Sequence, residues 1–85
     1  MRFQGVGFSY ARAVAVNMSG SDASLKIDAG FPHARGFFVG TAGTLKILTT
    51  GGDIVSLTNA SGWLPIEAVT VFASGTTASG ITALY

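Results

Sequence analysis

"ARGFFVGTAGTLKILTTGGDIVSLT", residues 34–58, decides the fold. Leu45 and Ile47 alternate with Thr44 and Lys46, the period-two pattern of a half-buried strand. Gly51-Gly52 then supplies a turn that needs positive φ, and Val55 and Leu57 return inward on the other arm. Ahead of this hairpin, residues 34–40 read as a second strand. There Phe37 and Val39 face one way and Phe38 faces the other, with Gly36 and Gly40. Bulk on both faces implies cover on both faces, which a lone open sheet does not provide.

Outward from this stretch the chain keeps the same vocabulary. Residues 11–17 read as a first long strand and residues 25–28 as a short edge strand ended by Pro32. "MSGSDAS" (18–24), "NASGW" (59–63) and "ASGTTASG" (73–80) read as loops or turns. Residues 64–72 read as the longest strand, and "ITALY" closes the chain with Ile81, Ala83 and Tyr85 on one face. No segment sustains a 3.6-residue apolar period. The expectation is all-β: a single small domain over residues 1–85, a β-sandwich or barrel of about six to eight short antiparallel strands.

Composition narrows the use of such a sheet. The chain has 85 residues, so its core is thin, and it has no Cys to staple it. Apolar residues make up 48% and charged residues only 11%, against about 25% charged in an average soluble domain. A surface this poor in charge points to faces hidden in an assembly, and oligomerisation is a common support for a small fold.

The net charge is +1, and Arg2, Arg12, Lys26, Arg35 and Lys46 are scattered. Nucleic-acid binding needs clustered cations, so it is not expected. No apolar run is long enough to span a bilayer as a helix, and no polybasic anchor is present, so no membrane partner is expected. Gln4, Ser9 and Arg12 interrupt the N-terminal apolar residues, which are therefore not read as a secretory signal.

Catalytic chemistry finds few candidates. Asp22, Asp28 and Asp53 sit at expected turns or strand ends, where Asp commonly bonds the backbone, and Glu67 is the fourth acid. His33 is alone, and one His without Cys makes no convincing zinc site. The stretches "GVGFS", "GTAGT" and "SGTTASG" open no expected helix and contain no Gly-Lys-Ser/Thr, so they read as turn glycines rather than phosphate cradles. No catalytic residue, cofactor or metal is expected.

The aromatics, Phe3, Phe8, Tyr10, Phe31, Phe37, Phe38, Trp63, Phe72 and Tyr85, lack the cationic groove that single-strand stacking requires. They are assigned to the core and to subunit contacts. Trp63, placed in a turn, and one of Phe37 and Phe38 are the contact candidates, with Tyr85 and Arg35 beside them. Arg35 opens a strongly apolar strand. It is either a rim charge or one half of an ion pair with an acid on a neighbouring strand or subunit.

Residues 31–85 also carry an ordered set of short motifs. These are Ala34-Arg35, Val39-Gly40-Thr41-Ala42-Gly43, Gly51-Gly52-Asp53, Gly62-Trp63-Leu64-Pro65, Gly75-Thr76-Thr77-Ala78-Ser79-Gly80-Ile81 and Ala83-Leu84-Tyr85. Their order and spacing resemble the head spike base proteins of gene transfer agents and related tailed phages. Residues 1–30 share with that pattern only Ser21-Asp22, and read as an attachment region. The resemblance implies a non-enzymatic virion structural protein at the capsid surface of a phage-like particle. It implies a homo-oligomeric ring, a pentamer on a vertex, with a capsid protein beneath and a spike or fibre protein above. Two other uses fit the residues. One is a tail or baseplate adaptor. The other is a small carbohydrate-binding β-module for adsorption, with Trp63 and a Tyr as sugar platform.

Overall fold

The computed structural model describes residues 10–18 and 21–85. The readings at Arg2, Phe3, Phe8 and "GVGFS", and at the centre of the 18–24 loop, lie outside the described residues. Six strands are present: β1 (Ala13–Ala15), β2 (Ala23–Ser24), β3 (Gly36–Thr49), β4 (Ile54–Leu64), β5 (Ala68–Val71) and β6 (Ser79–Leu84). All pairings are antiparallel. Among the described residues there is no helix.

β3 is the spine. One of its edges pairs with β4 along both halves, from Phe37↔Leu64 to Leu48↔Ile54. Its other edge is shared: β6 takes Gly36 to Thr41 and β5 takes Ile47 to Thr49. β1 then extends β6, and β2 extends β5. The result is a single curled sheet, a half-barrel, with two half-sheets that diverge from a common β3–β4 hairpin. β4 is the last strand of both half-sheets on one side, and β1 and β2 are the last strands on the other.

The hairpin turn follows from its residues. Gly52 N donates to Thr49 O, Thr49 N donates to Asp53 O, and Gly52 sits at φ 93°. This is a tight turn closed by one left-handed residue, which glycine adopts without steric penalty. Thr49 Oγ1 accepts from Asp53 N at 3.1 Å and secures the corner.

Five boundaries differ from expectation. "GTAGT" is not a turn. It is the bulged middle of the 14-residue β3, with register shifts between Val39 and Gly43 and between Gly43 and Leu45. "NASGW" is likewise inside β4, where Asn59 (φ 55°) and Gly62 (φ 67°) bend the strand without ending it. The longest strand is therefore β3, and of residues 64–72 Leu64 ends β4 and Ala68–Val71 form the four-residue β5. At the N-terminal side, the first strand shrinks to three residues, and the short edge strand is β2 at 23–24 rather than 25–28. Gly and Asn clusters serve bulges as readily as turns, which explains the first two differences.

The core lies inside the curl. Phe37, Val39, Leu45 and Ile47 of β3 are at most 2% exposed, as the alternation requires. Val71, Ile81, Ala83 and Tyr85 close over them. Full burial of a side chain such as Phe37 contributes about 2–3 kcal/mol. The two half-sheets are joined by Ala34 and Ala68, which exchange backbone hydrogen bonds, and by Tyr85, whose hydroxyl donates to Leu25 O at 2.7 Å.

Candidate subunit interface

The outer face of the half-barrel carries an aromatic pair. Phe37 and Phe38 are neighbours on β3, so one must point inward and one outward. Phe37 is fully buried, and Phe38 is 37% exposed. The register opposes Phe38 to Trp63 on β4, and their ring centroids lie 4.8 Å apart at 60°. Trp63 is 67% exposed. On the other side of Phe38 the same row continues through Thr82 of β6 to Ala15 of β1. An aromatic pair of this kind, flanked by small neutral side chains, is an anchor available to a partner.

The surroundings keep that face flat and uncharged. Gly36 and Gly40 flank Phe38 on β3. At Gly36 a methyl group would meet the Tyr10 hydroxyl at 2.9 Å, so Tyr10 lies on the same face. Arg35 is exposed at the foot of the strand, and it makes no ion pair among the described residues. Within the chain it is thus a rim charge.

The expected site residues therefore separate. Arg35, Phe38 and Trp63 are at the surface, while Phe37 and Tyr85 belong to the core, at 0% and 3% exposure. Phe37 and Tyr85 are enclosed by the fold of their own chain, so the side chains of this set that stand open to direct contact are Arg35, Phe38 and Trp63. Trp63 is in a strand rather than a turn. Among the described residues two further large apolar side chains are exposed: Val14, at 37% on β1, and Ile54, at 63% at the start of β4. The inward alternation of Val55 and Leu57 was the signal that could have found Ile54.

Several ionisable side chains bond within the fold. Asp22 Oδ1 accepts from Ala73 N at 2.8 Å, and Asp28 Oδ1 accepts from Gly30 N at 2.9 Å in a local turn. Asp28 also faces Arg12 at 3.5 Å, and the Arg12 guanidinium lies 5.4 Å above the Phe31 ring. His33 Nε2 is 3.2 Å from Glu67 Oε1. Among the described residues no three His, Cys, Asp or Glu come together in a way that could hold a metal ion. A groove of about 230 Å³ opens between β1 and β2, with Val14, Val16, Leu25 and Ala83 in its lining. It offers no charged group.

No protein-family model and no curated protein matches the chain. One solved structure does, over 91% of this chain and 84% of its own, with a TM-score of 0.67 and 29% sequence identity. It is the capsid of a native gene transfer agent particle, computed with C5 symmetry, and the half-barrel described above is similar to a chain of that capsid.

Proposed function

We propose that this chain is a non-enzymatic structural protein of a phage-like particle, a spike base or vertex decoration protein. It forms a ring on the capsid surface and carries a spike or fibre. The observation that carries this reading is the likeness, over nine-tenths of the chain, to a chain of a gene transfer agent capsid. Three features support it. The charged fraction is 11%, the Phe38–Trp63 pair stands exposed, and the similar particle was computed with fivefold symmetry. A cyclic ring needs two different complementary patches on each copy.

The test is incorporation. Tagged full-length chain, expressed with the particle it belongs to, is purified with that particle and located by electron microscopy with a tag-directed label. The expected result is label at capsid vertices. Label on the tail moves the reading to a tail or baseplate adaptor, and absence from the particle overturns it.

One observation favours a second reading, a sugar-binding module used in adsorption: Trp63 presents an exposed ring with Tyr10 on the same face. Glycan-array binding that is lost on Trp63→Ala, with particle incorporation intact, would support it.

A further inference from the structure

β4 ends both half-sheets, and among the described residues no strand lies on its outer edge. A free edge of eleven residues is a template for another strand, and soluble proteins usually blunt such edges with Lys, Pro or short length. β4 has none of these: "IVSLTNASGWL" contains no charge and no proline. The opposite end of the half-sheet that contains β6 is β1, "AVA", whose three residues are all exposed and equally uncharged.

The hydrogen-bond alternation identifies the groups left free. Tyr85 N donates to Arg12 O, and Val16 N donates to Ile81 O. Arg12, Val14 and Val16 thus face β6 with their backbone, and Ala13 and Ala15 turn theirs away. Carried through the register of β6 and β3, the same alternation turns the N–H and C=O of Ser61 and Trp63 away from β3.

We infer that the Ala60–Leu64 end of β4 pairs with the β1 edge of a second copy of this chain, head to tail, so that one sheet runs on from subunit to subunit. This rests on the ring reading and specifies its contact. Three observations select the occupant and the edge. Strands β1 and β4 themselves are uncharged, and Arg12, just ahead of β1, faces Asp28 at 3.5 Å, so neither edge repels the other. Trp63, the most exposed large apolar side chain among the described residues, sits on that end of β4. The row Trp63–Phe38–Thr82–Ala15 crosses the half-sheet from one free edge to the other, so joined copies would continue it. β1 is preferred to β2 because its backbone bonding along β6 and Tyr85 extends from Ala11 to Val16, whereas β2 has two residues.

Two variants test the edges without removing a bond inside the subunit. Ala13→Pro deletes an outward N–H on β1, and Ser61→Pro deletes one on β4. Native mass spectrometry is run on each full-length variant alone, at a concentration where the unmodified chain is oligomeric, and then on the two mixed. The expected result is monomer for each alone and a one-to-one dimer for the mixture, because one intact β4 edge still meets one intact β1 edge. Either variant keeping the wild-type oligomer, or a mixture that stays monomeric, overturns the pairing.

Should a proline variant fail to fold, residue-resolved amide exchange on the unmodified chain decides. Ala13, Ala15, Ser61 and Trp63 are expected to exchange at least about tenfold more slowly in the oligomer than in the diluted monomer. An oligomer in which these four amides stay unprotected overturns the pairing while leaving the ring. A chain monomeric at every concentration overturns both pairing and ring, and particle incorporation tests the structural role separately.

Discussion

Tyr85 shows how much one side chain carries in a core this thin. Its ring packs edge-on against Phe31, at 6.1 Å and 87°, and its hydroxyl joins the two half-sheets through Leu25 O. Tyr85→Phe keeps the ring but strands a buried carbonyl, which costs about 1–3 kcal/mol. A fall in the urea midpoint at unchanged slope would be the readout. The same phenol makes a pH prediction. Burial raises its pKa above the ordinary value, and the Arg12 guanidinium offsets part of that rise. The folded state then holds the proton more tightly than the unfolded chain. Its contribution is complete below the ordinary tyrosine pKa of about 10 and is lost as pH rises past it through the folded value. Melting curves from pH 8 to pH 11 should fall more steeply at the alkaline end for the unmodified chain than for Tyr85→Phe.

At the scale of elements, the segment between β5 and β6 explains the glycine- and threonine-rich stretches at 40–44 and 74–80. β6 leaves the edge of β3 after Thr41, and β5 joins it only at Ile47. The gap is filled by residues 76–78 acting as a strand substitute. Thr44 N donates to Thr77 Oγ1 at 2.9 Å and Lys46 N to Thr76 Oγ1 at 3.0 Å, while Thr77 N and Ala78 N both donate to Thr44 O. Hydroxyls thus stand in for missing ladder carbonyls. The close approach requires Gly43, where a methyl group would meet Ala78 N at 2.6 Å. Gly43→Ala should cost about 1–3 kcal/mol through overpacking against rigid backbone. Thr76→Val keeps the shape but leaves the part-buried Lys46 N–H without its acceptor, for a similar loss of about 1–3 kcal/mol. Thermal unfolding of the two single variants and the double variant would register both costs. A sum markedly below additive is expected, since both act on one segment.

This element also marks what could be read in advance. The 44–58 hairpin was legible because alternation and a Gly-Gly turn are both local signals. The continuity of β3 through "GTAGT" was not, since it depends on a segment more than thirty residues away closing on Gly43. Asn59 and Gly62 mislead for the same reason: positive φ is a turn signal locally, but β3 holds both ends of β4 and makes it a bend.

For the whole molecule, the candidate interface was half legible. Alternation predicts that one of Phe37 and Phe38 faces out, and composition predicts that something covers it. The Phe38–Trp63 pairing is a register fact between distant residues, and with the exposure of Phe38 it singles out the aromatic pair proposed as the anchor. Exposure makes the anchor separable from stability. Trp63 is 67% exposed, so Trp63→Ala should change the unfolding free energy by less than about 1 kcal/mol. As the central anchor of a subunit contact, the same substitution should weaken association by about tenfold or more, a loss of at least about 1.4 kcal/mol. The forces involved add a further constraint. With charged residues at 11% and both proposed edges neutral, association has little Coulomb energy for salt to screen. Raising ionic strength from about 0.05 to about 0.5 M should shift the apparent dissociation constant by less than about threefold, as exposed ion pairs contribute only about 0–1 kcal/mol each. Sedimentation equilibrium of the unmodified chain and Trp63→Ala at both salts reads all four values. A large salt dependence in the unmodified chain would assign the contact to Arg12, Lys26 or Arg35 instead of the neutral sheet edge.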